Sequence, residues 1–483
     1  MRLTRRRRPV ARTRRVLPAA TAATAVLAAG LAAGCTGQQT ALPGDAQSTS
    51  GTVTIKILSG ADTSQSPGTP AMPRATGMYS ELQDWWNANE ERRTHIQIQF
   101  VTVPGGATAA HSEMLADAES GDGAYDIYNL DNEWVPEFAA GNFIWSLRGN
   151  FPESSDFLQQ PLASGEYGGQ LYAAPFTTDV GLLYYRTDLL SSAQVRKLSA
   201  PHFSFANLTN LAEQVMQDDP RLAIGYAGQF AGYEGLTVNL LEIAHGEDPG
   251  MFAANGTITD SGGLTTALTQ LSGFMSSGTS RVLPRSELTF QELNAEQAFA
   301  GGTALFMRNW PIYYEQIRAD TVGKGADQVA NHVAVAPLPF PSVLGGQDLA
   351  IAKTSHDPAA ALTVIDYLTS PQAEQCLFQV GGFPATRASA YTRKGLPRDS
   401  LCGKSPGPEV SIGSVIERAI KGAFLRPRTP YYTEFSSIIQ NEVESELSAP
   451  DNDISGFASG LTTALNAAAA SGQAPPSPSA SSR

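Results

Sequence analysis

The stretch Gly168–Arg186, GGQLYAAPFTTDVGLLYYR, decides how the rest of the chain is read. An apolar segment ending at Pro175 meets a polar step, Thr177-Thr178-Asp179, and continues into a second apolar segment, Val180–Tyr185, with no turn long enough to reverse direction. A strand that changes environment without turning leaves one packed unit and enters another. Thr177–Gly181 therefore reads as a crossing between two lobes.

Two further stretches behave alike. Gly302–Pro311 has an apolar run that stops at Arg308-Asn309, so Met307–Asn309 reads as a second crossing. Val343–Ile351 carries the pair Gly345-Gly346 and reads as a third, with Gly346 and Gln347 facing the space between the lobes. At 483 residues, 42% hydrophobic, the chain is long enough for two globular units. Strands at Val53–Ile57, Ile96–Phe100 and Tyr125–Leu130 alternate with helical patterns at Met78–Asn89 and His111–Ser120. That order predicts an α/β fold with a parallel sheet, and such sheets bind ligands beyond the carboxyl ends of their strands. Asp131 stands at such an end, either as a ligand contact or as a helix N-cap, while Trp134 reads as packing with Phe138.

Helices are expected at Thr187–Leu198, Phe205–Gln217, Gly262–Ser276, Leu293–Ala300, Pro358–Tyr367, Pro371–Val380, Ser411–Ala423 and Glu434–Leu447. Between Ile224 and Leu236 a strand, a glycine-rich turn and a helix starting near Glu234 follow one another. No Gly-Lys-Ser/Thr follows, so the turn is not a phosphate loop. Tyr233 and Glu234 read instead as an aromatic platform and a hydroxyl acceptor.

Residues 1–34 form a signal segment: eight arginines without an acid before residue 16, then an alanine-rich apolar run. Its ending, Leu31-Ala32-Ala33-Gly34-Cys35, resembles a bacterial lipobox, which implies cleavage before Cys35 and lipid on that cysteine. Thr13–Leu17 resembles a twin-arginine signal interrupted by Pro18, which leaves both export routes open. Without the segment, 25 basic side chains face 46 acidic ones, a balance of −21 that argues against nucleic acid. Residues 35–52 read as a flexible tether and 467–483 as a disordered tail. Cys376 and Cys402, outside a reducing compartment, most simply form a disulfide. The scattered histidines offer no ligand-spaced metal cluster.

Five motifs in order resemble family 1 extracellular solute-binding proteins, nearest the trehalose/maltose-binding lipoproteins of ABC sugar importers. They are Leu171–Arg186, Tyr233–Leu236, Phe306–Pro311, Val343–Gly346 and Arg426–Tyr432. The resemblance implies a two-lobed periplasmic-binding-protein-like fold, each lobe a mostly parallel sheet flanked by helices, joined by three hinge crossings. The expected lobes are 53–178 with 308–346, and 179–307 with 347–466. It also implies a monomeric, cofactor-free protein on the outer face of the membrane that captures a di- or oligosaccharide and delivers it to an ABC permease. By similarity, Asp131, Asp179, Glu234, Trp310 and Arg426 fall where ligand-contacting residues lie, with Tyr233, Asn309, Gly346 and Gln347 beside them. Aromatic rings for sugar faces and carboxylates, amides or guanidinium for hydroxyls are the groups such a ligand needs. Gln347-Asp348 departs from the aromatic or asparagine expected after the paired glycines. Two other classes fit parts of the chain: a cell-wall interaction lipoprotein, and a glycosidase using two of Asp131, Asp179 and Glu234.

Overall fold

Ile55 and Ile57 alternate with exposed Thr54 and Lys56, and this pattern buries one face of the strand Val53–Gly60 from its start. It lies beside Ile96–Val103 in parallel register, and the helix Met78–Asn89 covers the pair through Met78, Tyr79, Leu82 and Trp86. Ile96–Val103 is an edge strand, and that helix occupies its backbone. The Trp86 Nε1–H donates to the Ile96 carbonyl at 2.8 Å, the Asn87 amide pairs with both backbone groups of Ile98, and the Phe100 N–H donates to Gln83 Oε1. Edge strands left bare invite foreign pairing. This one is closed by its own helix.

The computed structural model describes residues 51–60, 77–152, 155–200, 203–253, 256–276, 278–319, 329–392, 401, 408–449 and 453–471. The expected signal segment, Cys35, Cys402 and most of the 59–73 loop lie outside them. Among the described residues, two main sheets carry the fold. The first has the order Ile96–Val103, Val53–Gly60, Ile127–Asp131, Leu344–Ile351, Ala173–Val180. The second has the order Val333–Pro337, Leu182–Arg186, Ala304–Asn309, Ile224–Ala227. Helices cover both faces of each, giving the two-lobed α/β architecture.

Ala173–Val180 ends in the first sheet and Leu182–Arg186 begins in the second, with Gly181 alone between them. This is the crossing expected at Thr177–Gly181. The return passage comes at Ser342–Leu344: Val343 packs in the second lobe's core and bridges Phe424, while Leu344 already pairs with Val180. Met307–Asn309 is not a crossing. Ala304–Asn309 stays in the second sheet, and the helix Tyr313–Ala319 follows in the same lobe.

The lobe boundaries shift accordingly. Leu344–Ile351 and the helices Pro358–Leu368 and Pro371–Gly381 build the first lobe, whereas 308–319 and 329–343 build the second, the reverse of the expected division there. The helix Ile454–Ser471 also packs on the second lobe through Leu461, Leu465 and Ala468, so an unstructured tail cannot begin at 467. Both sheets are mixed rather than mostly parallel. The strand that leaves the first lobe and the strand that returns to it must run in opposite senses, and they lie side by side as an antiparallel pair. Of the expected helix 187–198 only Ser192–Lys197 forms, opened by a capping box on Ser191 and Gln194. Cys376, 1% exposed, is disulfide-bonded.

Gly346 sits beside the register shift between Gln347 and Asp348, at φ 109°. A Cβ there would overlap the Thr177 carbonyl and the Thr178 Cα across the strand pair. Left-handed backbone costs a side-chain-bearing residue roughly 1–2 kcal/mol, and the overlap adds to it. Gly346→Ala is expected to lower the urea midpoint by at least that equivalent, and an unchanged midpoint would contradict this account of the turn.

Candidate functional site

The carboxyl end of Ile127–Asp131 delivers Asp131, Asn132 and Glu133 to the seam between the lobes. Asp131 does not cap the following turn with its side chain. Its Oδ1 accepts from Gln347 Nε2 at 2.9 Å, and Gln347 Oε1 accepts from Thr177 Oγ1 at 2.7 Å. The polar step of the crossing strand, the end of Ile127–Asp131 and the returning strand are thereby joined through one glutamine. Trp134 is buried, packing edge-on against His111 with ring centroids 5.0 Å apart, as a packing residue should.

From the other lobe comes Arg426, 8% exposed, on the segment joining Phe424 to Tyr432. Its Nη2 donates to Glu133 Oε2 at 2.5 Å and Asn132 Oδ1 at 3.1 Å, and its Nη1 to Glu234 Oε1 at 2.8 Å. One guanidinium thus joins a carboxylate of the first lobe to a carboxylate of the second. Glu234 opens the helix Glu234–Glu247 and also accepts from Tyr432 Oη and Ser436 Oγ, each at 2.5 Å. Next to this link, Arg428 Nη1 donates to the Ser164 carbonyl at 2.7 Å, and Ser164 Oγ donates to Asp348 Oδ2 at 2.9 Å.

A second cluster surrounds Trp310. The ring is partly exposed and rests on the Arg308 guanidinium, 3.8 Å from its centroid. A Cβ built on Gly345 would lie 3.2 Å from the Asp179 Cβ and 3.5 Å from Trp310, so these three residues line one wall. Asp179 Oδ1 accepts from the Val180 N–H at 3.0 Å and the side chain keeps some exposure. Tyr233 lies near Glu292, whose charge, after burial, lifts the Tyr233 hydroxyl well above the ordinary phenol value.

Asn309 does not line this wall. It has no exposed surface, its Nδ2 donates to the Glu292 carbonyl at 3.0 Å and its Oδ1 accepts from the Trp310 N–H at 2.9 Å. It fixes the turn that presents Trp310. Gly346 contributes close backbone approach. Sequence reading missed Glu133, Asn132, Tyr432, Ser436 and Glu292. The signal for the first two was an unbroken polar run straight after a strand; Ser436 and Glu292, within helical stretches, carried none.

Burial pushes Glu133 up to about 7, with Glu234 adding to the rise and Arg426 opposing it. Asp179 also rises to about 7, chiefly by burial, against the Val180 N–H and Arg308. Asp348 rises to about 7 for the same first reason, opposed by Ser164 and Arg428 and aided by Asp131. A carboxyl group raised in the folded state binds its proton more tightly there than in the unfolded chain. Stability therefore falls as pH rises from about 4 through about 7, and levels off above, with a slope of up to about 1.4 kcal/mol per pH unit for each such group. The melting temperature of the ligand-free protein is expected to be lower at pH 8 than at pH 5, and the double substitution Glu133→Gln, Asp348→Asn to reduce that difference. A midpoint that rises across this window would contradict the assignment.

Among the described residues no group of three or more His, Cys, Asp or Glu side chains is placed to hold a metal ion, and no helix is long and apolar enough to cross a membrane. The family model for bacterial extracellular solute-binding proteins matches residues 73–375, more than half of the chain. A probable ABC transporter-binding protein of Deinococcus radiodurans is 28% identical over 324 residues, which cover 63% of this chain and 72% of that one. The maltose-bound MalE3 protein of T. maritima superposes with a TM-score of 0.65 at 25% identity, covering 85% of this chain and 99% of that one. The GacH receptor of Streptomyces glaucescens superposes with a TM-score of 0.66 at 21% identity, covering 86% and 98%, and supports the fold alone. With two lobes joined by strand crossings and polar and aromatic groups gathered at the seam, the chain belongs to the bacterial extracellular solute-binding proteins, binding components of ABC transporters rather than enzymes.

Proposed function

We propose that the protein captures a di- or oligosaccharide of the trehalose or maltose kind between its lobes and hands it to the membrane subunits of an ABC importer, while lipid on Cys35 holds it at the outer face of the membrane. The observation that carries the sugar reading is Trp310, a partly exposed indole braced from below by Arg308 with Asp179 at its side. An aromatic face beside a carboxylate suits a pyranose ring, which presents C–H bonds on its faces and hydroxyls on its rim. Across the seam, Asp131, Gln347, Glu133, Arg426 and Glu234 supply further hydrogen-bonding groups to that rim. The maltose held by the T. maritima relative gives the starting point for the ligand.

A thermal-shift screen of the purified protein against trehalose, maltose, maltotriose, monosaccharides, polyols and amino acids tests this reading. A ligand at a hundred times its Kd stabilises by about 2.7 kcal/mol, which moves the melting temperature by several degrees. A shift with one or more glucosides is expected. A shift with amino acids and none with any carbohydrate would overturn the sugar assignment and leave the family membership intact.

A further inference from the structure

Arg308 is 1% exposed, yet it is more than a support for the Trp310 ring. Its Nε and Nη2 donate to Glu242 Oε2 and Oε1 at 3.0 and 2.8 Å, and Glu242, midway along the helix Glu234–Glu247, has no exposed surface. Gln229 completes the surround: its Oε1 accepts from Arg308 Nη1 at 3.4 Å, and its Nε2 donates to the Arg308 carbonyl at 2.9 Å.

The same Glu242 carboxylate reaches the hinge. Its Oε1 accepts from Ser342 Oγ at 2.8 Å and from the Val343 N–H at 3.1 Å, and Ser342 Oγ accepts from the Gly181 N–H at 2.7 Å. Gly181 is the single residue between the sheets on the outward crossing; Ser342 and Val343 lie on the return. A Cβ on Gly181 would stand 2.7 Å from Arg308 Nε and 2.9 Å from Glu242 Oε1, so glycine is what lets the crossing strand lie against the pair. The passages at Gly181 and at Ser342–Val343 are thus bonded to the carboxylate that holds the guanidinium under the ring.

Burying an ion pair is an expensive way to fill a core, since apolar side chains of similar volume stabilise as well or better. What the pair adds is a fixed geometry with fixed donors and acceptors. We propose that Arg308, Glu242 and Ser342 act as positioning residues that tie the orientation of the Trp310 ring to the crossings at Gly181 and Ser342–Val343, so that movement of these crossings is felt at the binding wall. The binding consequence rests on the saccharide reading above; the coupling itself does not.

The test uses the full chain labelled with 5-fluorotryptophan, in which the Trp310 fluorine resonance is identified by its absence from Trp310→Phe. Ser342→Ala is the decisive variant, because its hydroxyl bonds to Glu242 and the hinge rather than to the ring. Arg308→Lys keeps the charge but loses the two-pronged contact. In the ligand-free protein, both substitutions are expected to move or broaden the Trp310 resonance. Glu374→Gln, which removes a buried carboxylate bonded to Thr386 and Arg387 in the first lobe, is expected to leave that resonance in place while lowering stability. With maltose as the probe, Ser342→Ala and Arg308→Lys should each weaken binding at least tenfold and Glu374→Gln less than twofold. A Trp310 resonance unchanged in folded Ser342→Ala overturns the coupling, whether or not Arg308→Lys folds. If maltose binds none of the proteins, maltose is excluded as the ligand while the fluorine spectra still decide the coupling.

Discussion

Arg426→Leu is expected to cost about 3–5 kcal/mol of stability, because it strands two carboxylates that the guanidinium now satisfies together. Glu133 is buried, and its rise to about 7 already reflects the expense of ionising it there even with Arg426 present. Glu234 keeps Tyr432 and Ser436 as donors, so the greater share of the loss falls on Glu133. The substitution also removes the ion pairs by which Arg426 reaches both lobes, to Glu133 at 2.5 Å and to Glu234 at 2.8 Å. Urea unfolding checks the magnitude. Adding Glu133→Leu to Arg426→Leu should recover much of the loss, since the stranded charge goes with it. A single-variant loss below about 1 kcal/mol would mean that the link is held by its apolar packing, with Phe424 and Tyr432 carrying it, and that the interlobe ion pair is incidental.

Trp310→Ala is expected to raise the Kd for the captured saccharide at least about 100-fold, roughly 2.7 kcal/mol, while lowering stability far less than Arg426→Leu. The ring is partly exposed, and its loss leaves Arg308 still bonded to Glu242 and Gln229. Isothermal titration with the best ligand from the thermal-shift screen supplies the affinity, and urea unfolding the stability. Glu234 stands differently from Trp310. Sequence reasoning alone would expect Glu234→Ala to remove binding and spare the fold. With Arg426, Tyr432 and Ser436 all donating to its carboxylate, the structure predicts that it does both kinds of damage.

That difference marks where the sequence is readable and where it stops. Periodicity located the helix Met78–Asn89 and placed Phe205–Asp218 to within one residue, because local burial patterns set helix limits. The crossing at Gly181 was visible because a polar step interrupts two apolar runs within one strand. Met307–Asn309 has the same appearance for another reason. Its arginine is not a surface charge ending a buried run but a buried one, satisfied by Glu242 at a distance of 66 positions along the chain. No local pattern tells a buried paired arginine from an exposed one, and the lobe division after residue 308 was misplaced as a result. The helix Ile454–Ser471 was missed because glycine and serine break its early turns and alanine fills its last ones, and Leu461 and Leu465 reveal their role only once the second lobe lies against them.

The site was legible in its residue types more than in its pairings. Asp131, Asp179, Glu234, Trp310, Gln347 and Arg426 do gather along the seam, carried there by strand ends and by the link before Tyr432. Glu133 escaped notice because its partner stands 293 positions away. Asn309 was read as a contact because it precedes Trp310, yet burial gives it the task of shaping the turn.

Hydrogen exchange of the full protein, with and without the saccharide that gives the largest thermal shift, tests the central claim most directly. If the sugar is held between the lobes, backbone protection should rise together at 131–134, 179–182, 310–313, 344–347 and 426–432, segments from both lobes and from the crossings at Gly181 and Leu344. Protection confined to one lobe, or to a surface away from these segments, would contradict it.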